Sequence, residues 1–232
     1  MKSFSEVLEE ISVKKIATLA AVASMVAVMF VPGQASADSA ELRIAGTIAP
    51  SPCTPAFTGG GVVDYGKIPA KSLNSTAQTT LADKTIQLSV TCDAPLLFGF
   101  KVIDERASTA VTSLTTIAGY APNKKFGLGA SDGKNIGAYS LVVASQTADG
   151  GSATSIGTMN GGVNWATHPP GFGLMADGGE IISTRVDGQG PSARRSGTAD
   201  IRVVTAIDKG SNLPLTHAIP LDGLSTFELV YL

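Results

Sequence analysis

Cys53 and Cys92 are the only two cysteines among 232 residues, and His168 and His217 the only two histidines. In an exported chain an isolated cysteine pair reads as a disulfide. The other readings are two free thiols or half a metal site, and no third or fourth ligand stands near either cysteine. His168 precedes Pro169-Pro170 in a loop, and His217 lies near the C-terminal turn. No HExxH, GxSxG, phosphate-binding loop or dinucleotide fingerprint is present. Asp104, Glu105 and Arg106 form a charged cluster after an expected strand, where a solvated turn is the simpler reading. Arg194-Arg195 sits in a Gly/Ser-rich loop; it could touch an acidic sugar, and loop solubility is the simpler reading. Trp165, the single tryptophan, could stack on a sugar ring, and core packing explains it with less. The sequence therefore predicts no enzyme: no catalytic, cofactor-binding or metal residues, no cofactor and no small-molecule substrate.

Export is written at the start of the chain. Lys14 and Lys15 precede an apolar run, Ile16 to Val31, closed by Pro32 and Gly33. Ala35-Ser36-Ala37 supplies the small residues that signal peptidase needs. The run is short for a span and rich in alanine, so residues 1–37 read as a signal peptide rather than an anchor. Glu6, Glu9 and Glu10 balance the three lysines of that segment, so the net charge stays at -2 after cleavage. No basic cluster of the kind that neutralises phosphates follows, which argues against nucleic acid as a partner.

The elements that must position these residues are strands. Only 16% of residues are charged, glycine is abundant, and short alternating apolar runs recur; this pattern favours an all-β sandwich or barrel. Residues of one parity share a face in a strand. By that rule Leu42, Ile44, Gly46 and Ile48 face one way, ahead of Pro50, Pro52 and Cys53. Ile86, Leu88, Val90 and Cys92 share a second face, which turns Cys92 toward the core. Further strands are expected at residues 62–68, 96–103, 139–145 and 180–186. Ile201, Val203 and Thr205 mark another strand. Phe227, Leu229 and Tyr231 mark the last. Sixteen of the 26 glycines lie between Gly127 and Gly197, where repeated DG and GG pairs signal turns and long surface loops.

These motifs together resemble a pilus subunit of the chaperone–usher pathway. Such subunits open with an alternating, glycine-bearing donor strand, and the first cysteine follows seven residues after the glycine, as Cys53 follows Gly46. A second cysteine stands about forty residues on, closing an I-x-L-x-x-C-like strand, as IQLSVTC does at Cys92. A V-D-F-G-like segment lies between the cysteines, as VDYG does at residues 63–66. The chain ends on an alternating aromatic strand with a penultimate tyrosine, here Phe227, Leu229 and Tyr231. The resemblance covers roughly residues 38–103 and 199–232. The glycine-rich middle departs from it, and looks more like that of the fimbrial-like proteins encoded alongside such pathways.

The resemblance implies an incomplete immunoglobulin-like sandwich (the pilin fold) over residues 53–232, preceded by a donor-strand extension at 38–52. It implies a structural or minor subunit of a fimbrium that polymerises by donor-strand exchange and serves cell adhesion at the cell surface. The partners implied are a periplasmic chaperone, an outer-membrane usher and other pilus subunits. The chaperone would grip the last strand at Phe227, Leu229, Tyr231 and the carboxylate of Leu232. The donor strand would present Leu42, Ile44, Gly46 and Ile48 to a neighbour's groove. The alternative reading is a stand-alone secreted sandwich that binds a glycan or another surface ligand through its glycine-rich loops.

Overall fold

The computed structural model describes residues 40–47, 53–115 and 121–232. The expected leader, residues 1–37, and Ile48 of the expected donor strand lie outside them. The chain divides into two units, Met1–Ile48 and Ala49–Leu232. In the first, residues 40–47 form no strand. Leu42 and Ile44 are 89% and 91% exposed. Alternation alone does not make a strand, because a strand's backbone needs a ladder partner.

The second unit is all-β. Its strands are β1 (Cys53–Phe57), β2 (Thr79–Thr80), β3 (Lys84–Leu96), β4 (Phe98–Asp104), β5 (Phe126–Gly127), β6 (Ala130–Ser131), β7 (Lys134–Asn135) and β8 (Gly137–Ala148). There follow β9 (Gly151–Ser152), β10 (Thr154–Thr158), β11 (Ala166–Thr167), β12 (Phe172–Gly173), β13 (Ile181–Arg185), β14 (Arg194–Ile207) and β15 (Ser225–Tyr231). One sheet runs β1-β3-β14-β8-β12, with β2 on β14 and both β5 and β9 on β8. The facing sheet runs β11-β10-β13-β4-β15, and β6-β7 is a separate hairpin.

Alternation decides which face each strand buries. On β3, Ile86, Leu88, Val90 and Cys92 are all buried, as expected, while Thr85 and Thr91 are exposed. On β4, Phe98, Phe100 and Val102 point into the same core. On β14, Ile201, Val203 and Thr205 do so too. Inward residues of the two sheets meet in one cluster, with Leu141 and Val143 of β8 opposite Ile182 of β13. This is a β-sandwich. β14 is the central strand of its sheet, paired with β3 on one flank and β8 on the other, with a bulge where Asp200 gives way to Ile201.

The glycine-rich middle is folded more tightly than long loops would be. Asp132-Gly133 and Asp149-Gly150 all have positive φ, and each pair turns a hairpin, β6–β7 and β8–β9. Two left-handed residues match the twist of the strands they join. Residues 62–68, expected as a strand, form none. Gly66 is left-handed at φ 63°, and its N–H is taken by the Asp64 carboxylate at 2.7 Å. The stretch is extended but unladdered, although Val63 and Ile68 pack against the core.

Candidate functional site

The expected disulfide is formed: Cys53 and Cys92 are bonded and face each other in the β1–β3 ladder, their Cα atoms 4.0 Å apart. This bond fixes where β1 starts. The Cys53 N–H donates to the Tyr231 hydroxyl at 2.9 Å. Four residues on, Phe57 meets Phe227 edge-on, ring centroids 4.9 Å apart. β1 and β15 thus touch across the two sheets along one stretch. The 3-10 turn Thr58–Gly61 follows β1, and the chain then runs on through the unladdered stretch 62–68.

Beyond Phe57 the sandwich opens into a groove. One part, about 210 Å³, is lined by Phe57, Ile86, Tyr139, Val203, Leu221 and Phe227 among others. A second part, about 460 Å³, is lined by Ile68, Leu73, Ile136, Leu213 and Ile219. Val63, Tyr65 and Leu221 line both, so the two parts adjoin. The floor is the inner face of β14 and β8; the sides are residues 61–73 and the run 213–227. Several of these apolar residues are only half-buried, including Val63, Ile68, Leu221 and Phe227.

Both sides carry unused backbone. Among the described residues, β15 pairs with β4 and no other strand. Residues 62–68 make no backbone–backbone hydrogen bond among the described residues. An open strand edge beside an apolar groove is the arrangement that accepts an added strand.

The polar side chains of the first part of the groove are hydroxyls, and those of Tyr65, Tyr139, Thr205 and Ser225 are engaged with one another. The Tyr65 hydroxyl donates to Thr205 Oγ1 at 3.0 Å, and burial raises its pKa. The Tyr139 hydroxyl lies 2.5 Å from Ser225 Oγ, and burial pushes its pKa up strongly. Asp104 faces Ser225 across the β4–β15 ladder, and its carboxylate accepts the N–H groups of Arg106 and Gly127, both at 2.8 Å. Burial nevertheless raises its pKa. Arg106 pairs with Asp222 at 2.9 Å, which pins the chain leading into β15. The site can bind an apolar, extended segment; Asp64, Lys67 and His217 also line its second part.

The structure corrects two sequence expectations here. Asp104 is 7% exposed, not part of a solvated turn, because its carboxylate caps two inward N–H groups. Arg194 is 3% exposed, not a loop solubiliser. It begins β14, its guanidinium lies 3.7 Å over the Phe98 ring, and it donates to the Phe98 carbonyl at 2.8 Å. Arg195 points the other way and donates to the Asp93 carbonyl at 2.7 Å.

The remaining candidates are dispersed. Trp165 is half-buried, its Nε1–H donating to the Gly162 carbonyl at 3.1 Å. His168 pairs with Glu180 at 2.7 Å and stacks on Phe172. His217 lies at the surface, 3.7 Å from Asp132. Of the expected donor residues, Leu42 and Ile44 are exposed, and a side chain at Gly46 would meet no atom within 4 Å. In the last strand Phe227 and Leu229 face the core side, and Tyr231 is 47% exposed. The Leu232 N–H continues the ladder to the Leu97 carbonyl at 3.0 Å. Sequence reading missed Phe57, Tyr139 and Leu221 as groove residues. For Phe57 a signal existed: it follows Cys53 by four residues, so the two share a face.

A family model described as "Protein of unknown function (DUF1120)" matches residues 42–140. The chain is 28% identical to "Protein GltF" of Escherichia coli (strain K12) over 250 aligned positions, covering 94% of this chain and 98% of that protein. It is 27% identical to "Uncharacterized protein YhcF" of the same organism over 135 positions, covering 51% of this chain and 57% of that protein. The chain is thus similar, from the expected donor segment into β8, to a family without an assigned function, and nearly end to end to one of these relatives.

Proposed function

We propose that this chain is an incomplete immunoglobulin-like sandwich, exported and assembled by donor-strand exchange as a structural or minor subunit of a chaperone–usher fimbrium. The observation that carries the reading is the apolar groove whose two sides, β15 and residues 62–68, both have unused backbone. Strand order supports it. In an immunoglobulin sandwich the strands ABED form one sheet and CFG the other. Here β1-β3-β14-β8 follow the order ABED, and β4-β15 follow CF. The position of G, beside β15, is where a donor would lie.

Leu42 to Ile48 of another copy is the proposed donor. Its residues of one parity alternate, so the side chains of Leu42, Ile44 and Ile48 enter the groove while the backbone pairs with β15 and residues 62–68. Gly46 suits a point where the groove is shallow. Before assembly a periplasmic chaperone would supply the strand, gripping Phe227, Leu229, Tyr231 and the Leu232 carboxylate, and an outer-membrane usher would exchange it at the cell surface. The test is a pair of chains lacking residues 38–49, one with Ala40 to Ala49 fused to the C-terminus through a short flexible linker. The fused chain should be a soluble monomer that unfolds at a clearly higher temperature. Equal stability of two monomers would mean that the sandwich is complete without a donor, and the reading as a free-standing ligand-binding module would replace this one.

A further inference from the structure

We infer that the sandwich holds one internal water molecule that bridges its two sheets at Gln146, Thr184 and Arg194. These residues come from β8, β13 and β14, so two belong to one sheet and one to the other. All are buried, at 6%, 2% and 3% exposure. All three line one small cavity of about 20 Å³ between the sheets, together with Leu88, Phe98 and Gly197. A cavity of at least about 10–15 Å³ with two to four polar partners is what a buried water needs.

The polar atoms match a water one for one. Gln146 Oε1, Thr184 Oγ1 and Arg194 Nε are each buried without a hydrogen-bond partner. The rest of the Arg194 guanidinium is committed: Nη1 donates to the Ser192 carbonyl at 3.1 Å and Nη2 to the Phe98 carbonyl at 2.8 Å. Its plane is held over the Phe98 ring, so Nε–H has a set direction. A water accepts from Nε–H, donates to Gln146 Oε1, and exchanges either role with the Thr184 hydroxyl. Buried polar groups are nearly always paired, and here a single molecule completes three. An anion would satisfy the guanidinium, which has no carboxylate within 4 Å among the described residues, but it cannot donate to Oε1. Gly197 is part of the same design: a Cβ there would stand 3.2 Å from Arg194 Nε and 3.4 Å from the Phe98 ring.

A high-resolution crystal structure of the disulfide-bonded chain, grown with bromide in the drop, tests the inference. The expected result is one peak without anomalous signal, within about 3 Å of all three atoms. An anomalous peak would make the site an anion site, and direct pairing of the three side chains with no peak would remove it; either overturns the inference. In Gln146→Leu the acceptor is lost and the peak should vanish while the strands keep their places. A full peak in that variant excludes Gln146 as a partner and overturns the three-point bridge. If the variant does not fold, the native crystal still decides.

Discussion

Arg194 lies between the sheets over Phe98, while Arg195 next to it reaches a surface carbonyl. Removing a buried side chain costs both its packing and the bonds of the groups it served. Arg194→Ala should therefore lose about 2–4 kcal/mol in urea unfolding, and Arg195→Ala should stay within about 0.5 kcal/mol. A loss of similar size in both would refute the placement of Arg194. Two carboxylates act oppositely with pH. Burial raises the pKa of Asp104 above its usual 3.8. The folded chain then holds that proton longer than the unfolded chain, so stability falls as pH rises from about 3.8 through the raised value. Asp200 is lowered by hydrogen bonds from Ser145 and Gln87. Its contribution is present above about 3.8 and is lost as pH falls through the lowered value. Urea midpoints measured from about pH 2 to 7 should lose the first slope in Asp104→Asn and the second in Asp200→Asn.

At the scale of elements, the start of β1 depends on a covalent bond across its ladder to β3. β1 has five residues and sits at the sheet edge, and Pro55 gives its ladder no N–H. The disulfide closes 39 residues of chain. Replacing both cysteines by alanine should cost about 4 kcal/mol by the chain-entropy estimate, with β1 amides the first to lose protection in hydrogen exchange. Uniform loss of protection across β1 and β14 would show that β1 is not the dependent element. β8 is constrained differently. A Cβ at Gly137 would collide with the Ala206 carbonyl, across the β8–β14 ladder. Gly137→Ala should destabilise by about 1–3 kcal/mol through that overpacking, whereas Gly133→Ala should meet no neighbour and pay only for its left-handed backbone. Thermal unfolding of the two variants separates these causes.

For the whole molecule, β15 is the strand on which the groove depends. It carries Phe227, which closes against Phe57, and Tyr231, which receives the Cys53 N–H. Deleting Ser225 to Leu232 should leave β4 an edge strand paired with β13 alone and remove the groove's side, so on the proposed reading co-purification with a cognate chaperone should cease. Recovery of the truncated chain at normal yield with chaperone bound would contradict the assignment of this strand. In the self-complemented chain, Gly46→Leu should lower the unfolding temperature, since a side chain there has to enter the groove. Each kcal/mol corresponds to about 2–4 °C for a chain of this size.

Alternation by itself determined much of this protein. The inward faces of β3, β4 and β14 were legible because parity along a strand and burial on one side of a sheet are the same fact seen twice. The disulfide was legible because two lone cysteines in a chain that reads as exported have few other uses. The DG turns were legible because such turns need left-handed residues; the short hairpin strands they join, β6–β7 and β9 on β8, read only as loops. What the tertiary structure alone decided concerns neighbours, which parity cannot name. Residues 62–68 alternate like a strand, yet among the described residues no strand lies beside them to pair with. Asp104 and Arg194 read as solvated because charge in a turn or loop usually is. They are buried because Gly127 and Phe98, distant in sequence, bring backbone groups that need them. The groove is decided in the same way: Phe57, Tyr139, Leu221 and Phe227 come from four separate segments, and only the packing of two sheets makes them one surface.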